Sequence, residues 1–329
     1  MVRLRLAAAV RFAAAVLLAA PASAPAQGWS PQKNVEIVVG FPPGGTVDKT
    51  ARMVERSLVS NKLVPSTLSI VNKPGASSGI AYTYVSQQPA DGHTLVISSS
   101  TLLVNYIMGS SPLKYTDFTP IASLVNDYTV FAVNAASPLR TGRDLIERLR
   151  KDPKAVAIGF GAIGLPGHVS AALLNQKIGG SAKDLKAVSF KGGADATTNV
   201  LGGHIDLLTT AAGNAADHVA AGRMRVLAVA APKRLGGALA AVPTWREQGI
   251  DLVFGGWRAV MAPKGLPAAQ IAYWEGMLRK ATEFAEWKAD IEKNYWSDDF
   301  VTGAQFRKDL DKEYADTRAV LVDLGMARP

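Results

Sequence analysis

The chain has 329 residues, 48% of them hydrophobic and 19% charged, with no cysteine and a formal charge of +9. The lack of cysteine excludes disulfides, thiolate nucleophiles and cysteine-held metal sites. The basic excess favours encounter with anions, but no block of Lys and Arg with interleaved aromatics occurs, so a nucleic-acid partner is not expected.

The first 26 residues read as a secretory signal peptide. Arg3, Arg5 and Arg11 form a basic region, Phe12 to Ala20 is an apolar run too short to span a bilayer, and Ala24-Pro25-Ala26 offers a small-residue cleavage site before Gln27. Cleavage there leaves 303 residues with 33 basic and 27 acidic side chains, enough for two domains with cores of their own. No later stretch is long and apolar enough to cross a membrane, so a soluble, exported chain is expected.

From Val35 the pattern alternates strand and helix. Val35 to Val39 reads as a strand, Asp48 to Val59 as an amphipathic helix, Thr67 to Val71 as a strand, Ile80 to Gln88 as a helix and Thr94 to Ile97 as a third strand. Such alternation predicts a parallel sheet with helices on its faces, and ligands bind beyond the carboxyl ends of its strands. Three loops should share that edge: Phe41 to Thr46, Asn72 to Gly79, and Ser98 to Thr101. The first exposes glycine amides ahead of a helix and the last offers four hydroxyls in a row, the alternative for those serines being helix capping.

Around 120–134 two short β-like runs, Ile121 to Leu124 and Thr129 to Val133, flank Asn126-Asp127. Alternation then restarts: helix Thr141 to Lys151 with Thr141 as N-cap, strand Ala155 to Gly159, glycine-rich Gly161 to Gly167, and helix His168 to Ile178. Strand Ala187 to Phe190, loop Lys191 to Gly193, a helix over Asp195 to Leu201, strand Ile205 to Leu208 and loop Thr209 to Gly213 follow, then a helix ending near Gly222 and strand Val226 to Ala230. Beyond Pro243, Leu252 to Phe254 and Ala259 to Met261 are β-like, and everything from Ala268 onward reads as helix. A tail without strands is expected to pack back on the first domain. The expected fold is therefore α/β, two doubly wound lobes joined by a double-crossover hinge: 27–125 plus 253–329 as the first lobe, 126–252 as the second, with a cleft between.

Catalytic signatures are missing. Gly44-Gly45 is not followed by the Lys-Ser or Lys-Thr of a phosphate loop, no serine stands in a G-x-S-x-G elbow, and His93, His168, His204 and His218 lack metal-ligand spacing. Gly159-Phe-Gly161-Ala-Ile-Gly164 matches a dinucleotide fingerprint with Asp184 twenty residues on, which leaves a dinucleotide-binding enzyme as an alternative; Asp184, however, precedes its strand instead of ending it. What remains is a set of Gly, Ser and Thr-rich loops at helix N-termini, whose backbone N–H groups can hold a carboxylate without a buried arginine. Lys49, Lys191 and Arg258 lie near these loops as further cations. Asp48 either supports its helix N-terminus or meets a ligand donor, and Trp257 either lines the cleft or fills the core.

Seven segments in order, Phe41-Pro-Pro-Gly-Gly-Thr-Val-Asp48, Asn72-Lys-Pro-Gly-Ala76, Pro89-Ala-Asp-Gly-His-Thr94, Asp117-Phe-Thr-Pro-Ile121, Phe190-Lys-Gly-Gly193, Gly202-Gly-His-Ile-Asp206 and Val242-Pro-Thr-Trp-Arg-Glu-Gln-Gly249, resemble those of the periplasmic receptors of tripartite tricarboxylate transporters, the Bug or TctC-like solute-binding proteins. The resemblance covers the chain from about Val35 onward. It implies a Venus-flytrap fold, a periplasmic location, a small organic carboxylate as ligand and no cofactor; the expected protein is a monomer without enzymatic activity that serves a membrane permease, a sensor feeding a histidine kinase being the alternative. Carried onto this sequence, it implies ligand contacts from Phe41, Pro42, Gly44, Gly45, Thr46 and Asp48, from Ser99, Ser100 and Thr101, and across the cleft from Gly161, Ala162, Gly164, His168, Gly192, Gly193 and Ala211, with Trp257 at the second crossover. Ile163-Gly-Leu-Pro166 replaces a loop that is richer in hydroxyls in the family, and Arg258 stands where a small or apolar residue is usual.

Overall fold

The structure is a computed structural model that describes residues 28–328; the expected signal peptide lies outside the described residues. Strand β1 (Val35–Val39) shows how the first lobe is layered. Its side chains alternate, so Val35, Ile37 and Val39 enter one core cluster while Val38 enters another on the opposite face. Helix α1 (Thr46–Ser60) covers the first face; β2 (Leu68–Asn72) lies beside β1; and α2 (Gly79–Ser86) covers the second face. After β3 (Thr94–Ser99) comes the short α3 (Thr101–Ile107). β1 pairs in parallel with both β2 and β3, as the alternating pattern predicts.

The two β-like runs expected around 120–134 are one strand, β4 (Phe118–Asn134), seventeen residues long. Asn126 and Asp127 do not interrupt it because partners satisfy its backbone on both sides of that point. The second lobe follows: α4 (Gly142–Lys151), β5 (Ala157–Phe160), α5 (Pro166–Lys177), β6 (Lys186–Ser189), α6 (Gly193–Leu201), β7 (Leu207–Ala211), α7 (Ala212–Ala220) and β8 (Met224–Val229). Thr141 caps α4 as expected, its hydroxyl accepting from Asp144 N. β5 runs parallel to β6 and β7, while the distal end of β4 pairs antiparallel with β7 on one side and β8 on the other.

The chain returns through β9 (Gly255–Pro263), a single strand that pairs antiparallel with β3 and with 118–128 of β4. Helices α8 (Ala268–Glu283) and α9 (Ala285–Asn294) then add the buried Trp274 and Trp287 to the first core. The all-helical tail is corrected at β10 (Ser297–Thr302), which pairs antiparallel with β4. Its Ser-Asp-Asp-Phe-Val-Thr sequence is too polar to show a strand pattern, and it is an edge strand recruited by the outer flank of β4.

Helix α10 (Gly303–Asp323) packs Phe306 and Leu310 into the first lobe but carries Val320 into a core cluster of the second. At its end the Asp323 carboxylate accepts hydrogen bonds from Ser181 Oγ (2.9 Å), Ala182 N (2.7 Å) and Gln176 Nε2 (3.1 Å). The tail therefore touches both lobes, and β4 belongs to both sheets.

Candidate functional site

A cavity of about 260 Å³ lies at the middle of β4, where β9 begins on one flank and β7 ends on the other. Helices begin all around it: α1 at Thr46 and Val47, α3 at Thr101, α5 at Pro166 and Gly167, α6 at Gly193, and α7 just after Ala211. None of these five N-termini carries a side-chain cap. Each leaves N–H groups without intrahelical partners and the positive end of a helix dipole, so the lining is suited to an anion.

The loops reach one another because glycine permits it. A Cβ on Gly161 would stand 3.0 Å from Gly193 N, and one on Gly167 only 2.4 Å from Thr209 O. On the first-lobe wall Ser99 Oγ and Thr101 Oγ1 are 2.9 Å apart, and the buried Tyr82 hydroxyl lies 3.3 Å from Thr101 Oγ1 and 3.2 Å from Ser98 Oγ. Tyr82 thus sets the hydroxyl cluster from behind; inside a helix the sequence reads only as core.

Of the residues implied by the resemblance, Phe41, Thr46, Ser99, Ser100, Thr101, Gly161, Gly193 and Ala211 line the cavity. Pro42, Gly44, Gly45, Asp48, Ala162, Gly164, His168, Gly192 and Trp257 lie outside its wall, each for a local reason. Pro42 and Gly45 are exposed at the rim. The amide of Gly44 is engaged, donating to Asp48 Oδ2 at 2.8 Å. Asp48 is 1% exposed and also accepts from Arg52 Nε (2.8 Å) and Asn72 Nδ2 (2.9 Å). Burial alone would raise its carboxyl, but the hydrogen bonds from Arg52, Gly44 and Asn72 outweigh that and hold it below the usual range. It is the buckle of the first loop, with no free lone pair aimed at a ligand.

The Asn72 to Gly79 loop, expected at the same edge, serves as a brace: Asn72 Nδ2 also donates to Phe41 O at 3.0 Å. In the second lobe Ala162 and Gly192 are half-buried beside wall residues, and Gly164 lies against Val104 of the opposite lobe. His168 is 4% exposed, stacks on Phe160 at 4.4 Å and accepts from Gly164 N through Nδ1 at 3.0 Å. Burial drops its pKa to about 4, so it is neutral and ties the glycine loop to α5. Trp257 follows the strand alternation onto the far face of β9, where its ring meets Phe306 edge-on. Lys49 and Lys191 are exposed and outside the wall. In the fingerprint segment, Gly159 leaves room for Ile205 and Phe190, and Asp184 is engaged in a capping box with Ser181 instead of being held out toward a ribose.

The largest correction is electrostatic. The cavity does contain a buried arginine, Arg258, 8% exposed on the same face of β9 as Gly256. Its Nη1 donates to Gly256 O and, at 3.2 Å, to Trp257 O, while Nη2 donates to Thr46 Oγ1 at 2.9 Å. Asp127, 5% exposed, places Oδ2 3.8 Å from Nη2. Burial raises the Asp127 carboxyl to about 6, with Arg258, the Trp296 indole and the Ala212 amide opposing that only in part. Asp127, Thr129, Thr210 and Asn214 also line the cavity, Asn214 Nδ2 donating to Thr210 Oγ1 at 2.9 Å. An acid inside the apolar run of β4 was the signal for Asp127; the strand assignment around it hid that signal.

A family model described as the tripartite tricarboxylate transporter family receptor, TctC, matches residues 50–319. Protein BugT of Bordetella pertussis is 32% identical over 259 residues, 77% of this chain and 77% of its own length. A TctC solute-binding protein from Polaromonas, determined with no ligand, superposes with a TM-score of 0.79 at 26% identity, covering 88% of this chain and 98% of the other. An R. palustris protein determined with adipate does so with a TM-score of 0.72 at 27% identity, covering 90% and 99%. With the two doubly wound lobes and the helix-ringed cleft, these similarities establish that the chain belongs to the TctC family of tripartite tricarboxylate transporter receptors.

Proposed function

We propose that the chain is a periplasmic receptor that captures a small organic carboxylate between its lobes and delivers it to the membrane permease of a tripartite tricarboxylate-type transporter. One observation carries this reading: five uncapped helix N-termini and a buried arginine surround a cavity sized for a small molecule. The R. palustris relative determined with adipate supports the ligand class. In this reading 27–125 with 253–329 and 126–252 move as two lobes about β4 and the 253–255 return, 1–26 directs export, and no cofactor or chemical step is involved.

Thermal shift and calorimetry against mono-, di- and tricarboxylates, aliphatic and aromatic, test it. A ligand at a hundredfold its Kd adds about 2.7 kcal/mol of stability. A panel in which no carboxylate binds refutes the reading. Loss of uptake of the identified ligand in a strain lacking this chain, with kinase-dependent transcription unchanged, separates delivery to a transporter from a sensor role.

A further inference from the structure

We infer that the ligand of this cleft carries a hydrogen-bond donor, hydroxyl or ammonium, beside its carboxylate, and that Asp127 reads the donor while Arg258 and the helix N-termini read the carboxylate. The inference rests on the carboxylate-receptor reading and narrows it to hydroxy or amino carboxylates.

The geometry is that of an ion pair left open. Asp127 Oδ2 and Arg258 Nη2 are 3.8 Å apart, beyond a hydrogen bond. Both residues are more than nine-tenths buried, and both line the cavity. Each also holds a buried polar atom that makes no hydrogen bond, Asp127 Oδ1 as acceptor and Arg258 Nε as donor, although the Trp296 indole and the Ala212 amide lie close enough to the Asp127 carboxyl to favour its charged form. Buried charges normally close on each other and complete their hydrogen bonds, since a loosely held pair keeps the desolvation cost without the full attraction. Arg258 is fixed in this posture by Gly256 O, Trp257 O and Thr46 Oγ1, so it does not swing onto Asp127.

An acid in an anion site is the feature to be explained. A plain carboxylate entering beside Arg258 meets the like charge of Asp127, which offers only acceptors when ionised. A ligand with a hydroxyl or ammonium next to its carboxylate satisfies both groups together, the carboxylate facing Arg258 and the donor facing Asp127. A site built this way discriminates against the analogue lacking the donor, because Asp127 would then keep only Arg258 at 3.8 Å and the Trp296 and Ala212 N–H groups.

Calorimetry on the full mature chain compares matched sets of three lengths: propionate, lactate and alanine; succinate, malate and aspartate; glutarate, 2-hydroxyglutarate and glutamate. The expected result is that, in the set that fits, the hydroxy or amino member binds roughly 10- to 100-fold tighter than the unsubstituted acid. Asp127→Leu, which cannot accept, erases that preference; Asp127→Asn, which accepts without charge, erases only a preference for ammonium. Unsubstituted acids that bind as tightly as their hydroxy and amino counterparts overturn the inference while leaving the receptor reading intact. A preference that survives in folded Asp127→Leu overturns the role of Asp127. Absence of binding by every carboxylate of the wider panel fails the receptor reading itself. The wild-type comparison needs no variant, so a misfolded Asp127→Leu leaves the decision to the ligands.

Discussion

Replacing Asp48 tests how the first loop is held open. The wild-type carboxylate accepts from Gly44 N, Asn72 Nδ2 and Arg52, and Asn72 in turn holds Phe41 O. Hydrogen bonds to a charged group contribute about 1.5–3 kcal/mol each when buried. The Arg52 side chain is 51% exposed, so its ion pair is screened and counts for well under about 1 kcal/mol. The exposed Gly44 amide can turn to water once its acceptor is gone, which reduces the loss there. Asp48→Ala should therefore cost about 2–4 kcal/mol, a fall in melting temperature of roughly 3–7 °C for a chain of this size. Ligand affinity should fall as well, because the loop bearing Phe41 and Thr46 is no longer tied down. Asp48→Asn, with one amide oxygen left to accept, should lie between. The pH dependence has a definite sign: the folded carboxyl titrates below its ordinary 3.8, so its contribution is complete above about pH 4 and is lost as pH falls further. Urea unfolding of wild type and Asp48→Ala at pH 7 and pH 3.5 measures both effects. An Ala variant within about 0.5 kcal/mol of wild type at pH 7 refutes the buckle.

Three further outcomes follow from the same packing. Gly167→Ala sets a Cβ against Thr209 O, so α5 must withdraw from β7; we expect a loss of about 1–3 kcal/mol in urea unfolding together with weakened ligand binding in calorimetry. His168 has a folded pKa of about 4 against 6.5, so its stabilisation is present above pH 6.5 and is lost as pH falls to 4; the advantage of wild type over His168→Gln should shrink over that range by about 3 kcal/mol, and a constant gap would contradict the buried neutral imidazole. Ser77, at φ 49°, sits between Ala76 and Ser78 in a left-handed turn ahead of α2, so Ser77→Gly should raise stability by about 0.5–1 kcal/mol, the relieved strain exceeding the added chain entropy; a lower melting temperature would contradict this.

Much of the architecture was legible in the sequence because it depends on local patterns. Apolar runs of strand length, amphipathic helices and Gly/Pro breaks placed β1 to β3 and the second strand–helix series within a few residues, and alternation implied parallel sheets. The amide-rich loops at Phe41, Ser99, Gly161 and Gly193 were visible for the same reason, since a glycine or hydroxyl at a strand-to-helix turn has a local cause. β10 was not legible, because a polar edge strand is made by the neighbour that pairs with it. Nor was the face each residue takes along β4 and β9: the register between these strands puts Asp127, Gly256 and Arg258 into the cleft and Trp257 into the core. Sequence by itself determined that two α/β lobes would form with amide-rich loops at the carboxyl ends of their strands. Only the tertiary structure decided that an arginine and an aspartate, 131 positions apart, meet inside the cleft, because that pairing depends on how two distant strands lie side by side.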